Sequence, residues 1–137
     1  MSFSDIILSS EVKGVLIDLD DTLYVYEPCH EEALSVCYVP LFQSHYSYDE
    51  FKRTYREHRN RVMEQLAPSG TCRSRRLAFQ SWCEDLGVES ASQEAIQLDE
   101  LYWNKFMSVM TLDKEAELFL KKAKKKSLPI CIVSDML

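Results

Sequence analysis

Two short apolar runs near opposite ends of the 137-residue chain constrain its fold more than any other feature of the sequence. Residues 12–17 (VKGVLI) and 129–133 (PICIV) are rich in Val and Ile, a composition typical of strands in a parallel sheet that is covered on both faces. Pro129 is acceptable there because a proline can occupy the first position of a strand. The segment between the two runs is predicted to be helical, so the sequence favours an α/β fold with a parallel sheet.

Five helices are predicted between the strands. The clearest follows Ser47, because Ser47 and Glu50 form a capping-box pattern and apolar residues then recur at helical spacing until Pro68 and Gly70. The other four are predicted near residues 31–44 with a bend or break at Pro40, 73–86 with Gly87 as the stop, 93–110 and 113–126. Their apolar stripes are interpreted as core faces: Phe51, Tyr55, Val62 and Leu66; Ile96, Leu101, Tyr102, Phe106 and Met110; Ala116, Phe119, Leu120 and Ala123.

The charge balance and the cysteines narrow the class of protein. Sixteen Lys and Arg against 22 Asp and Glu give a net charge of -6, which argues against binding of nucleic acid or of an anionic membrane surface. A small molecule or a protein is the favoured partner.

The five cysteines are odd in number and lack metal-ligand spacing, so they indicate reduced thiols. No apolar run approaches the roughly 20 residues of a membrane span, and a cytoplasmic location is expected.

The first apolar run leads directly into an acidic turn, residues 18–22 (DLDDT). Aspartates are common where strands end, so a capped turn is the ordinary interpretation of such a segment. Here the position matters, because open parallel sheets bind ligands beyond the carboxyl ends of their strands. Clustered carboxylates at that place repel one another unless a cation or a shared proton compensates. Mg²⁺ is favoured as that cation if phosphate is also bound.

The acidic turn resembles the first motif of the haloacid dehalogenase superfamily, an apolar strand followed by DxDxT, and Asp18 to Thr22 match it in full. Residues 130–135 (ICIVSD) resemble the second motif, an apolar strand that ends in Ser or Thr, with Ser134 as that residue. The long helical block between the motifs is the arrangement of the subfamily with an inserted helical cap. The segment that leads into the second motif also resembles the family's helix returning from cap to core, although the usual Pro-Gly before that helix is missing.

This resemblance implies a partial Rossmannoid core of parallel strands, formed by residues 1–24 and 112–137, and a helical cap formed by residues 25–111. It also implies a Mg²⁺-dependent phosphomonoester hydrolase that acts through an aspartyl-phosphate. The expected substrate is a small phosphorylated metabolite, a sugar phosphate or a nucleotide, over which the cap closes.

The resemblance assigns a role to each residue of the motif. Asp18 is the expected nucleophile and metal ligand, and Asp20 is the expected general acid and base, with its backbone carbonyl on the metal. Thr22 fixes the turn and is counted with the phosphate-binding groups, which are otherwise the backbone N–H groups of Leu19 and Asp20 and the Ser134 hydroxyl. Asp21 receives no catalytic role.

The second acid of the motif distinguishes two branches of the family. A halide leaves without a proton, whereas cleavage of a phosphate ester expels a poor alkoxide and benefits from an acid. Asp20 therefore favours a phosphatase over a dehalogenase. Arg73, Arg75 and Arg76 in the cap, and Tyr24 and Tyr26 just past the acidic turn, are candidate substrate contacts, but none is assigned to the site. His30, His45 and His58 are interpreted as surface or helix residues rather than catalysts.

Two parts of the family's site have no counterpart in the sequence: a later Lys, and a later acidic pair that completes the metal site. The lysine-rich run at residues 121–126 lies before the second strand, roughly 17 Å of strand away from the site, and is interpreted as a solvated helix end. We therefore expect the chain to be the N-terminal part of a longer phosphatase, inactive and aggregation-prone alone. A complementing C-terminal segment or a dimer would complete it.

Two other functions compete with this interpretation. A binding or regulatory module could retain the fold without catalysis and use its cap for protein contacts. A receiver-like phosphoacceptor also gathers acids after its first strand, but the long helical insert disfavours it.

Overall fold

The computed structural model describes residues 11–134, which form a mixed α/β chain that is mostly helical. The elements in chain order are β1 (Val15–Ile17), α1 (Tyr26–Cys37), a π-helical segment (Tyr38–Phe42), α2 (Tyr48–Leu66), a 3₁₀ turn (Gly70–Arg73), α3 (Arg75–Asp85), α4 (Ala91–Val109), α5 (Lys114–Lys125) and β2 (Ile130–Ile132). Residues 1–10 and 135–137 of the predicted core, including Asp135 of the second motif, lie outside the described residues. No helix within residues 11–134 has the length and apolar character needed to cross a membrane.

The described residues divide into two compact units. Residues 11–27 and 110–134 form one, which contains both strands and α5, and residues 28–109 form the other, which is helical. The division of labour between a catalytic core and a cap stays a prediction.

The two strands pair in parallel, which confirms the predicted pairing. Val15 is in register with Ile130, and Ile17 with Ile132. The ladder continues for one bond at each end, because the Val15 N–H donates to the Pro129 carbonyl and the Val133 N–H to the Ile17 carbonyl, both at 2.9 Å. Each strand is three residues long and so shorter than the apolar run that predicts it.

The composition of these strands predicts burial on both faces, and that prediction is wrong for the described chain. Leu16 is 77% exposed and Ile132 is 57% exposed. Val and Ile favour an extended backbone, but their burial requires a layer of structure above the sheet. No such layer covers these two side chains within residues 11–134.

The start of α2 follows the predicted capping box. The Ser47 hydroxyl accepts from the Glu50 backbone N–H, and the Glu50 carboxylate accepts from the Ser47 backbone N–H at 2.9 Å. The Ser47 hydroxyl also donates to the Glu50 carboxylate at 2.6 Å, and this bond, followed by the one from the Ser47 N–H, lowers the pKa of Glu50. The helix ends at Leu66, two residues before Pro68, as the sequence predicts.

α1 begins five residues earlier than its apolar pattern predicts. The Asp21 carboxylate accepts from the Tyr26 backbone N–H at 2.8 Å, and this bond lies at the first residue of the helix. Pro28 is tolerated because it lies in the first turn, where its missing N–H costs no intrahelical bond. Pro40, the predicted break, lies in the π-helical segment that follows α1.

The remaining helix boundaries lie within two residues of their predictions and follow local signals. Ser74 caps α3 through the Leu77 N–H, and Gly87 follows its end with a φ of 72°, in the left-handed region. Asp113 caps α5 through the backbone N–H groups of Glu115 and Ala116.

Trp82 of α3 lies at the centre of the core of the helical unit. Phe42 stacks on it with ring centroids 4.0 Å apart, Phe51 lies at 5.3 Å, and the His58 ring stacks at 5.5 Å. His58 is only 4% exposed and occupies the stripe position of α2 between Tyr55 and Val62. Its burial was not predicted, because an imidazole does not score as apolar in a periodicity argument.

Two leucines predicted in the core are exposed instead. Leu66 is 37% exposed at the last residue of α2, and Leu101 is 40% exposed on α4. The buried stripe of α4 runs through Ala91, Ala95, Leu98, Tyr102 and Phe106. Leu101 lies one residue off that stripe, so it turns about 100° away from the core.

Candidate functional site

The acidic turn lies at the carboxyl end of β1, beside the carboxyl end of β2. Because Ile17 pairs with Ile132 and the Val133 N–H donates to the Ile17 carbonyl, Asp18 leaves β1 at the same sheet edge at which Ser134 follows β2. The parallel register therefore brings these two predicted site residues to one end of the sheet. Both are exposed to solvent.

The backbone of the turn is closed by the Leu19 carbonyl, which accepts from the Thr22 N–H at 3.4 Å and the Leu23 N–H at 3.0 Å. Asp21 adopts a φ of 55°, a left-handed conformation that Asp tolerates better than most residues. Thr22 thus takes part in the turn through its backbone, and its role in fixing the turn and binding phosphate stays a prediction.

Neighbouring acids of the turn have different partners. Asp20 accepts a hydrogen bond from the Tyr24 hydroxyl at its Oδ1 atom, and the two residues are also joined by an isolated parallel bridge. Asp21 is exposed, and its Oδ1 atom holds the first N–H of α1. The structure therefore gives Asp21 an anchoring contact, whereas the contact of Asp20 occupies one oxygen of the predicted acid and base.

Tyr24 is the residue of this site that sequence reasoning missed. It was predicted only as a candidate substrate contact, but its side chain is 3% exposed. The available signal was a tyrosine four residues after an aspartate within one tight turn, a spacing that brings a phenol back to a carboxylate. The pattern alone does not distinguish that geometry from an outward-facing tyrosine.

Some oxygen atoms of the turn are suitable ligands for a hard cation. Mg²⁺ takes one or two protein carboxylates and completes its shell with water and substrate phosphate. The Asp18 carboxylate and the Asp20 backbone carbonyl match such a set. Within residues 11–134 no three or more His, Cys, Asp or Glu side chains are arranged to hold a metal. Magnesium binding by Asp18 and Asp20 stays a prediction.

The lysine-rich run lies at the other end of β2. Lys121, Lys122, Lys124 and Lys125 belong to the last turns of α5, which precedes the amino end of β2, and Lys121 pairs with Glu117 at 2.6 Å. These cations complement the helix dipole. The strand separates them from Ser134.

The arginines of the helical unit are engaged within it. The Arg75 guanidinium lies over the rings of Tyr102 and Trp103, 4.7 and 4.9 Å from their centroids. Arg76 pairs with Asp99 at 3.3 Å. The backbone carbonyl of Arg73 accepts a hydrogen bond from Arg59.

His30 lies beside this group of cations. Its Nδ1 atom is 2.7 Å from the Tyr102 hydroxyl. Burial, and then the nearby charges of Arg75 and Arg59, lower the pKa of His30 to about 4. The imidazole is therefore neutral near pH 7.

A second polar group connects α2 and α3. His58 Nδ1 lies 3.0 Å from the Ser81 hydroxyl, while His58 Nε2 lies 3.8 Å from Asp85, whose carboxylate pairs with Arg61 at 2.7 Å. A shallow groove of about 340 Å³ runs over Ser81 and Asp85. The serine, histidine and aspartate are the residue types of a hydrolytic triad, but the short bond of Asp85 goes to Arg61. We interpret the group as a polar contact between helices.

Comparison with known proteins finds a phosphatase. The chain is 25% identical over 125 residues to a ribulose-1,5-bisphosphate 5-phosphatase of Halopiger xanaduensis, an alignment that covers 90% of this chain and 52% of that protein. The chain thus spans about half the length of the curated relative it matches. No family model matches the sequence, and no solved structure matches the fold.

Proposed function

We propose that this chain carries the nucleophilic site of a Mg²⁺-dependent phosphomonoester hydrolase of the haloacid dehalogenase type. The observation that carries the proposal is the parallel register, which brings Asp18 and Ser134 to one end of the sheet with Asp20 in the same turn. The similarity to a sugar-bisphosphate phosphatase supports the same reaction class.

The chemistry divides between the two carboxylates. An Asp18 oxygen attacks phosphorus, a P–O bond to Asp18 forms, and the ester P–O bond breaks as Asp20 gives its proton to the leaving alkoxide. Asp20 then takes a proton from water as that water attacks the aspartyl-phosphate. Inorganic phosphate leaves, and the Asp18 carboxylate is restored.

The other predicted groups bind the phosphoryl oxygens. Backbone N–H groups of Leu19 and Asp20 and the Ser134 hydroxyl are donors of the kind that stabilise developing negative charge. When bound, Mg²⁺ would be held by the Asp18 carboxylate and the Asp20 carbonyl, and it would offset the charge of the phosphate. The substrate is proposed to be a small phosphorylated metabolite, a sugar phosphate or a nucleotide, and the location cytoplasmic.

Activity is proposed to require further polypeptide, from a longer form of the chain or from a second copy. The apolar side chains of the sheet support this, since Leu16 and Ile132 are largely exposed in a sheet of two strands. Such a sheet gains stability when it is extended or covered. A longer form of the chain would also supply a Lys and a second acidic pair.

The test is phosphate release from p-nitrophenyl phosphate with Mg²⁺ by the full-length protein that contains this chain. We expect Asp18→Asn to reduce the rate to background, because an amide is a poor nucleophile, while the matched variant Asp21→Asn keeps most of it. Equal activity of the Asp18→Asn variant and the wild type would refute the assignment.

A non-catalytic binding module is the second candidate, and the exposed apolar sheet favours it because such a surface suits polypeptide binding. The two functions predict different results in the same assay. A module shows no phosphate release that depends on Asp18.

A further inference from the structure

The Tyr24 side chain is buried and hydrogen-bonded. Its ring is 3% exposed, and its hydroxyl donates to Asp20 Oδ1. The preceding residue, Leu23, is 8% exposed, and its carbonyl accepts from the Asp113 N–H at 2.8 Å. Asp113 in turn caps α5. The backbone just before Tyr24 is therefore bonded to the start of α5, while the phenol itself bonds to the acidic turn.

This contact makes the two oxygens of the Asp20 carboxylate inequivalent. A phenol donates its hydrogen bond to an ionised carboxylate, so Oδ1 accepts the bond from the Tyr24 hydroxyl. When Asp20 takes up a proton during the reaction, the free position is Oδ2. The contact also restrains rotation of the carboxylate, which a surface aspartate otherwise retains.

We infer that Tyr24 is a positioning residue, whose hydrogen bond to Oδ1 restrains the Asp20 carboxylate and leaves Oδ2 as the oxygen for exchange with the substrate. The inference rests on the proposed function, because it requires Asp20 to act as acid and base. Tyr24 itself touches neither substrate nor metal in this role.

The role predicts a dependence on the leaving group. A primary alkyl phosphate expels a strongly basic alkoxide and needs the proton of Asp20, whereas p-nitrophenolate leaves with little protonation. A variant that misplaces the proton should therefore slow the first substrate much more than the second. A residue with a merely structural role would slow both alike.

The experiment compares Tyr24→Phe with wild type in the full-length protein with Mg²⁺, on an alkyl phosphate and on p-nitrophenyl phosphate. We compare kcat/KM, which reports formation of the aspartyl-phosphate and not its later hydrolysis, and expect it to fall by about 10-fold or more for the alkyl phosphate and by less than about twofold for the aryl phosphate. Asp20→Asn should show the same selectivity with a larger loss. Tyr26→Phe is the matched control, and it should leave the ratio of the two rates unchanged.

Two results would overturn the inference. The first is an equal loss on both substrates, and the second is no loss on either. If Tyr24→Phe fails to fold, 3-fluorotyrosine at position 24 retains the donor and the shape. It should preserve the wild-type ratio, and 4-aminophenylalanine, a weaker donor, should lower the alkyl rate selectively; parallel changes would again refute the role.

Failure of the proposed function is recognised separately. In that case the wild-type protein shows no hydrolysis that depends on Asp18. This result would remove the basis of the inference about Tyr24 as well. An active wild type whose Tyr24 variants show no leaving-group selectivity refutes the role of Tyr24 alone.

Discussion

At the residue scale, the acidic turn shows how adjacent carboxylates acquire different tasks. Asp20 contacts the buried phenol of Tyr24, and Asp21 turns outward in a left-handed conformation to hold the start of α1. The sequence DLDDT presents these acids as near equivalents. Their directions depend on the backbone path after Leu19, which a motif does not specify.

Asp21 is expected to matter for stability rather than for catalysis. Asp21→Ala removes the acceptor of the Tyr26 N–H. It also introduces alanine, which tolerates a positive φ less well than aspartate, so the free energy of unfolding should fall by about 1 to 2 kcal/mol. Asp21→Asn retains both properties and should change it by less than about 0.5 kcal/mol. Urea unfolding followed by circular dichroism measures both, and equal effects of the two variants would contradict the anchoring role.

His30 is expected to make the helical unit sensitive to acid. Its pKa is about 4 in the folded chain and near 6.5 when unfolded, so the unfolded state binds more protons below pH 6.5. Folding stability should therefore fall as the pH drops from 6.5 toward 4, by at most about 3 kcal/mol. His30→Gln should reduce this pH dependence in denaturant titrations, while His45→Gln, at an exposed histidine, should not. An unchanged pH dependence in His30→Gln would show that other groups cause it.

At the element scale, local signals predicted helix boundaries well where a side chain acts on its own turn. The box of Ser47 and Glu50 and the stop at Gly87 are such signals. The start of α1 depends instead on Asp21, five residues before Tyr26, so no periodic pattern could locate it. The composition of the two apolar runs predicts the strands. Their exposure depends instead on whether other elements cover the sheet, which the residues within each strand do not determine.

Ser47 should be a measurable contributor to α2. Ser47→Ala removes the acceptor of the Glu50 N–H and disrupts the reciprocal box, at an expected cost of about 1 kcal/mol of unfolding free energy. Ser44→Ala, at an exposed serine before the helix, is the matched control and should cost little. Equal stability of the two variants in thermal or urea unfolding would argue against the capping role.

The candidate site was predictable to the extent that sheet topology determines it. Given a parallel pair, Asp18 and Ser134 follow the strands at the same edge, and the sequence alone supplied both strands. The Tyr24 contact and the burial of His58 were not predictable, because each depends on where a polar side chain points after the chain turns.

At the scale of the whole molecule, the exposed apolar sheet is the feature with the clearest consequence. Leu16 and Ile132 present branched apolar side chains to solvent, and within residues 11–134 both edges of the two-stranded sheet are open to further pairing. The 137-residue chain should therefore associate with itself at micromolar concentrations. Sedimentation velocity over a concentration series measures this directly.

A charged substitution on the sheet should reduce that association. Ile132→Lys introduces a charge on the exposed β2, whereas Val39→Lys introduces the same charge at a residue of similar exposure, 54%, in the helical unit. We expect only the first to shift the chain toward monomer. A wild-type chain that stays monomeric at high concentration would contradict the role given to the sheet.

The central claim is that Asp18 becomes phosphorylated, and its most direct measurement is peptide mass spectrometry after rapid acid quench. The full-length protein is mixed with a phosphorylated sugar and Mg²⁺ and stopped within one turnover. The account predicts a phosphoryl group on Asp18, absent from the Asp18→Asn variant. Phosphate release by an active wild type with the phosphoryl group on another residue, or with no phosphorylated protein at any time within the turnover, would contradict it.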